Sequence, residues 1–291
     1  MNHLVTGLAI LSTILVLVPL LAILGYLLFK GASSLNWAFF THLPAPAGEK
    51  GGGMANAIVG SGIILTLASL MGIPMGIGAG VYLAEYGQGS IFANVIRFTA
   101  DVLNGVPSIV MGIAAAVLIV LPIGHSSFAG AVALAIMMVP TVSRTTEEML
   151  ATVPHAIREA ALGLGIPRWR MILSVSLRTA SPGIITGCML AFARVAGETA
   201  PLLFTAFGNL FWTFDNLAST HAGQLPHVLA DDVFHQPIAA LPLLIFQYST
   251  SADDEQKRLA WAGALVLIAL IMVSVTLVRI FANRGALKGG H

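Results

Sequence analysis

The feature that most constrains this chain is a succession of long apolar runs, the first of them "LAILSTILVLVPLLAILGYLLF" at residues 8–29. A bilayer core of ~30 Å takes about 20 apolar residues to cross as a helix. Six runs approach that length, at residues 8–29, 56–83, 102–123, 127–144, 182–207 and 259–281. Isolated strands cannot satisfy their backbone groups in lipid, so the runs are expected to be helices and the fold class all-α and integral to a membrane. Composition agrees: 57% of the 291 residues are hydrophobic and only 9% are charged, against about 25% charged in a typical soluble domain. The first run is too long for a signal peptide and lacks a basic leading segment, so it is expected to be retained. The second is interrupted by Gly72-Ile73-Pro74 and predicts a kink or tilt. A net charge of +1 gives no footing for nucleic acid, and the one cysteine, Cys188, excludes an internal disulfide.

Lysine and arginine set the expected orientation. With six spans, both termini and the 84–101 and 145–181 loops share one side. That side holds Arg97, Arg144, Arg158, Arg168, Arg170, Arg178, Arg279, Arg284 and Lys288. The other holds Lys30, Lys50, Lys257 and Arg258. Nine against four places the termini in the cytoplasm. Residues 1–55 then form the first span and first outer loop, and 56–291 the main transmembrane domain, with a cytoplasmic loop at 145–181 and an outer loop at 208–258. Within the outer loop, "PIAALPLLIF" (237–246) is too short to cross and is expected on the membrane surface. His221, His227, Asp231, Asp232 and His235 lie in the same loop, and their spacing matches no metal template.

Glycines punctuate two spans. Gly72, Gly76 and Gly80 recur every four residues, as do Gly183 and Gly187. Each set lies on one helix face, where another backbone can approach; ordinary helix packing is the plain reading and a moving interface the sharper one. Motifs of soluble enzymes are absent: there is no GxxxxGK[ST], HExxH or GxSxG. The chain cannot cradle ATP with a P-loop of its own.

In the 145–181 loop, Thr152 is a candidate cap and Pro154 suits a first turn. The spacing predicts a helix of about eleven residues ending at Gly165-Ile166-Pro167. "RWRMILSVSLR" (168–178) then reads as an interfacial helix, and Ser181-Pro182-Gly183 as the start of span five. A short helix with small residues, standing off the membrane, is suited to dock in another protein's groove. "EAALGLG" (159–165) resembles the EAA signature of ABC-importer permeases. The proline that normally follows is replaced by Arg178, with Pro182 nearby. "LAEYG" (83–87), "GVPSIVMGI" (105–113) and "ARVAGETAPLLFTAFGN" (193–209) resemble the permease subunits of phosphate importers, the PstA type.

That resemblance implies a type I ABC-importer (MetI-like) architecture with six transmembrane helices in the bacterial inner membrane. It implies a second permease subunit (PstC-like), a pair of ATPase subunits (PstB-like) that use ATP and Mg, and a periplasmic phosphate-binding protein (PstS-like). It puts Glu159, Ala160, Ala161, Gly163 and Gly165 on the motif that couples to the ATPase, and it gives this subunit no cofactor and no catalysis of its own.

The most anomalous stretch is "FARVAGETAPLLF" (192–204), which carries two charges in an apolar run. Arg194 and Glu198, four apart, share a helix face. Counted from Pro182 they lie about 18 and 24 Å in, where a charge costs at least ~2.5 kcal/mol without a partner or water. Pro201 has no N–H and frees the Gly197 carbonyl, so the helix is expected to break there. Either the two charges pair with each other or a neighbouring span, or with Thr199 they line an anion path. In the second case guanidinium would fork onto phosphate oxygens while Glu198 accepts a P–OH that sulfate lacks. Permeases for sulfate, molybdate or phosphonate, a membrane enzyme acting on lipid phosphates, and a non-transporting scaffold are the other classes weighed. An enzyme would need a nucleophile and an acid–base partner that the spans do not show.

Overall fold

In the computed structural model of the chain, residues 2–49, 51–210, 212 and 235–287 are described, and every regular element among them is helical. In order these are α1 (Asn2–Ala32), α2 (Trp37–Thr41), α3 (Ala55–Val81), α4 (Ile91–Gly105), α5 (Ser108–Ala115), α6 (Leu121–Ile123), α7 (Ser127–Ala151), α8 (His155–Gly163), α9 (Arg168–Met171), α10 (Leu177–Ala196), α11 (Ala200–Thr205), α12 (Leu241–Ser249) and α13 (Asp254–Leu287). Three π turns are spliced in: Tyr82–Tyr86 ends α3, Ala116–Val120 joins α5 to α6, and Ile172–Ser176 joins α9 to α10. One isolated bridge pairs Phe207 with Ile238.

Among the described residues, five helical stretches are long and apolar enough to cross a membrane: His3–Ala32, Ala55–Tyr86, Ser127–Ala151, Arg168–Ala196 and Asp254–Ile280. The third expected span, 102–123, is not one helix. Ile91–Gly105 and Ser108–Ile123 meet at 108°. The cause is local: Pro107 drives Val106 into an extended conformation (φ −72°, ψ 131°), which ends α4. The 84–101 segment, expected as a loop between two apolar runs, is mostly α4. Ile91, Phe92, Val95, Phe98 and Val102 are exposed along it. Its polar residues serve α7: Arg97 pairs with Glu147 at 2.7 Å, Asp101 stands 3.9 Å from Arg144, and Asn104 accepts from Thr141 at 3.2 Å.

α3 runs through Gly72-Ile73-Pro74 as one helix with Pro74 inside it. Two further expectations change. The fifth span does not begin at Ser181-Pro182-Gly183, because helix is continuous from Arg168 to Ala196 with Pro182 inside it. The reason is chemical. Pro182 cannot donate to the carbonyl four residues back, that of Arg178, and the Ser181 hydroxyl donates to that oxygen instead (2.8 Å). The 237–246 segment, finally, is inside the bundle rather than on its surface: Ile238 to Leu244 are all buried. The N–H of Leu241 donates to the Ser61 hydroxyl on α3 (2.6 Å), and Ala239 presses on the place a Cβ at Gly60 would fill. Covered on several sides, an apolar run of this length forms core instead of floating at an interface.

The centre of the bundle is α7, 56% of whose apolar window is buried, whereas none of that of α1 is. Both glycine series face α7. Cβ atoms on Gly72, Gly76 and Gly80 would lie 3.0, 2.6 and 2.5 Å from the Cβ atoms of Met138, Val142 and Thr146. Cβ atoms on Gly183 and Gly187 would lie 2.7 Å from Met149 Cγ and 2.6 Å from Thr145 Cβ. The matched numbering makes α3 parallel to α7 and α10 antiparallel to it. The charged tail of α7 is met by Arg97 and Asp101 of α4. α1 touches the rest near its end, where Tyr26 meets Trp261 edge to face at 5.2 Å and Gly31 lies against Trp261 and Leu265.

Candidate functional site

α10 stops at Ala196 and helix resumes at Ala200, so Gly197, Glu198 and Thr199 stand between two helices. Pro201 sits in the first turn of α11, where a missing N–H costs nothing. The end of α10 tightens: the N–H groups of Gly197 and Glu198 reach back three residues to Arg194 O and Val195 O, at 3.4 and 3.1 Å. The break is held from behind. Pro201 is buried against α5, with its Cα 2.7 Å from where a Cβ on Gly112 would stand. Thr205 donates its hydroxyl to Pro201 O at 2.7 Å, and its own carbonyl accepts from Ser126 N–H at 3.2 Å.

Arg194 is exposed, and Glu198 and Thr199 are half-buried. Among the described residues neither charge makes an ion pair or a side-chain hydrogen bond, so the pairing reading is not what is found. The guanidinium keeps all its donors and the carboxylate its acceptors. A nearby cleft of about 380 Å³ between α3, α10 and α13, lined by Ser69, Ile73, Ile77, Ile184, Cys188 and Phe192 among others, carries no charged group and suits no small anion.

At the far end of α10 lies α8. It has nine residues, begins after Pro154 and has no side-chain cap. Thr152 closes α7 instead, its hydroxyl on Met149 O at 2.7 Å. Gly165 (φ +78°) ends the helix: its N–H bonds Leu162 O (2.9 Å) and that of Ile166 bonds Ala161 O (3.3 Å). Those two bonds with a left-handed residue between them make a Schellman motif. The five motif positions therefore divide. Gly165 terminates the helix. Ala161 is buried on Met171 and Ile172, with Val81 beside them. Glu159, Ala160 and Gly163 are exposed, Gly163 has nothing within 4 Å of a Cβ, and Ile157, Leu162 and Leu164 are exposed around them.

Sequence reasoning missed the cluster that joins α8 to α3. Glu85, in the π turn that ends α3, is 4% exposed. Its carboxylate lies 3.0 Å from Arg158 of α8, as a charge contact more than a directed hydrogen bond. Arg158 also donates to Leu150 O at 2.7 Å. Arg168 donates to the Glu85 carbonyl and lies over the Tyr86 ring at 5.0 Å, and Arg97 donates to Leu83 O at 3.2 Å. A helix C-terminus leaves carbonyls unpaired and carries partial negative charge, so three arginines from three elements converge on it. The charge count treats these arginines only as markers of a membrane side. The available signal was Glu85 itself, an acid in the last turn of a long apolar helix, which must find a cation.

At the opposite end, Asp253 joins distant segments. Its carboxylate accepts from Gly48 N–H (2.9 Å) and Glu255 N–H (3.0 Å), which holds its carboxyl below the usual range. Asn56 donates to Leu210 O at 2.9 Å. His221, His227, Asp231 and Asp232 lie outside the described residues, and among those described no group of three His, Cys, Asp or Glu side chains could hold a metal.

Comparisons with known proteins bear on this geometry. The model of a family described as binding-protein-dependent transport system inner membrane component matches residues 72–285. The chain is 44% identical over 257 residues to a phosphate transport system permease protein PstA from Yersinia pestis, covering 88% of this chain and 81% of the relative. It is 46% identical over 249 residues to one from Xylella fastidiosa (85% and 80%), and 35% identical over 294 residues to a PstA 1 from Mycobacterium tuberculosis (97% and 90%). Among solved structures, a chain of an inward-facing MetNI methionine ABC transporter superposes with a TM-score of 0.57 at 16% identity, over 82% of this chain and 98% of that one. That likeness concerns the fold alone.

Proposed function

The chain belongs to the binding-protein-dependent transport system inner membrane components, PstA type, and from that premise we propose that it is a permease subunit of an ATP-driven phosphate importer. What carries the reading is the match to relatives named for phosphate transport over four-fifths or more of both chains. A second permease subunit completes the pathway, two ATPase subunits hydrolyse ATP with Mg, and a soluble binding protein delivers the anion from outside. The termini and the α8 end face the cytoplasm, as the arginine count favours. Residues Glu159, Ala160 and Gly163, with the exposed apolar side chains around them, form the ATPase-docking face. No motif for ATP hydrolysis is present in the chain.

In this reading Arg194, Glu198 and Thr199 line the path at the break between α10 and α11. Non-helical backbone within a membrane is tolerated where it borders a water-filled cavity, and a charge there that makes no ion pair among the described residues calls for a partner in the path. Arg194 forks onto phosphate oxygens. Glu198 accepts a hydrogen bond from P–OH and keeps Arg194 from holding the anion too tightly for release. The test is ATP-dependent uptake of phosphate against sulfate in proteoliposomes holding the assembled transporter. Phosphate uptake that sulfate does not match is expected, and its absence overturns the reading. Should Glu198→Gln leave both uptake and discrimination intact, the selectivity role alone is wrong.

A further inference from the structure

We infer that Glu85 and Arg158 are positioning residues that carry the motion of α8 into the α3–α7 pair, so that breaking their contact separates ATP hydrolysis from transport. The inference rests on the transport reading above. α8 touches its own chain sparingly: Ala161 is its one buried residue, and Leu162, Leu164 and Ile157 stand open. A helix held so lightly would slide over the bundle without moving it, unless something fastens it. Two fastenings are present. Ala161 packs on Met171 and Ile172, at the π turn that leads into α10. Arg158 holds the buried Glu85 at 3.0 Å, in the π turn that ends α3. Arg168, just past α8, adds a hydrogen bond to the Glu85 carbonyl. The lightly held helix is thus bracketed by π turns, irregular places where a helix accepts a change of direction.

What lies beyond Glu85 is stiff. Gly72, Gly76 and Gly80 put α3 in backbone contact with α7, and two packed helices at that distance move together. The same π turn is tied to α7 a second time, through Arg97 on Leu83 O and on Glu147. A push on α8 at the Glu85–Arg158 contact therefore reaches α3 and α7 as one body. The side chains of Glu85 and Arg158 are 5% and 12% exposed, which removes most of the competing water and strengthens the attraction between their charges.

The experiment uses the assembled transporter in proteoliposomes, with wild-type uptake established first, so that failure of the transport reading is seen separately. Glu85→Gln and Arg158→Gln are compared with the charge swap Glu85→Arg/Arg158→Glu, reading ATPase co-purification, ATP hydrolysed and phosphate taken up. Expected is unchanged co-purification in the single variants, with ATP spent per phosphate raised at least about fivefold, and a ratio restored toward wild type by the swap. Single variants with the wild-type ratio overturn the inference. So does loss of hydrolysis and uptake in equal proportion, which marks a merely structural role. If the single variants fail to assemble, the swap decides: assembly and coupled uptake recovered together support the link, and a swap that fails as the single variants do overturns it.

Discussion

A Cβ on Gly80 would stand 2.5 Å from Thr146 Cβ, closer than two such carbons ever approach, so α3 and α7 meet backbone to side chain with nothing between them. Without a hydrophobic drive between helices in lipid, such approach is what holds them. Gly80→Ala should destabilise the purified protein by about 1–3 kcal/mol, since the contacts on that side include backbone as well as the branched Thr146. Gly78, two residues away with nothing within 4 Å, is the control. Thermal midpoints in detergent should fall for Gly80→Ala and stay put for Gly78→Ala.

The Ser181 hydroxyl on Arg178 O makes a double-mutant test. Ser181→Ala leaves that carbonyl without its donor and should cost up to about 1 kcal/mol. Pro182→Ala returns an N–H to the same oxygen, so the pair of substitutions should cost less than Ser181→Ala alone. Equal midpoints for the single and double variants would refute the account.

Gly163 and Gly165 should separate by role. Gly165 is needed by its own chain, since φ +78° costs an L-residue roughly 1–2 kcal/mol. Gly165→Ala should lower the thermal midpoint of the subunit. Gly163 meets only open space, so Gly163→Leu should leave that midpoint unchanged while weakening capture of the ATPase. Capture unaffected by Gly163→Leu would remove this residue from the docking face.

Asp253 supplies a pH dependence. Its folded carboxyl is held below the ordinary value of 3.8 by the Gly48 N–H first and the Glu255 N–H second. A depressed folded pKa means the charged form is favoured by folding. Its stabilisation is present above the unfolded pKa and is lost as pH falls through the folded one. Wild type should therefore exceed Asp253→Asn in thermal midpoint at neutral pH, and the gap should narrow below about pH 4. A gap that widens with acid would contradict the Gly48 contact.

Local chemistry made parts of this protein legible. The glycine stripes at 72–80 and 183–187 do lie on faces of close approach, and "EAALGLG" does end a short helix. Other parts were hidden by the same local reasoning. Pro182 looked like a helix start because the Ser181 hydroxyl that rescues it is a matter of rotamer. The 84–101 stretch looked like loop because it falls between two apolar runs, and the partners of its Arg97 and Asp101, Glu147 and Arg144, sit on α7. "PIAALPLLIF" looked interfacial because only α3 and its neighbours make it core.

Hydropathy and residue spacing, then, determined by themselves that the chain is a helical membrane protein with a short exposed helix near its middle. Lipid leaves the backbone no other solution, and periodicity is written in consecutive residues. Only the tertiary structure decided which charges meet. Glu85 finds Arg158 across 73 positions, while Arg194 and Glu198, four apart, stay unpaired among the described residues. Ion pairing depends on distance through space after packing, and sequence separation says nothing about that once helices have been brought side by side.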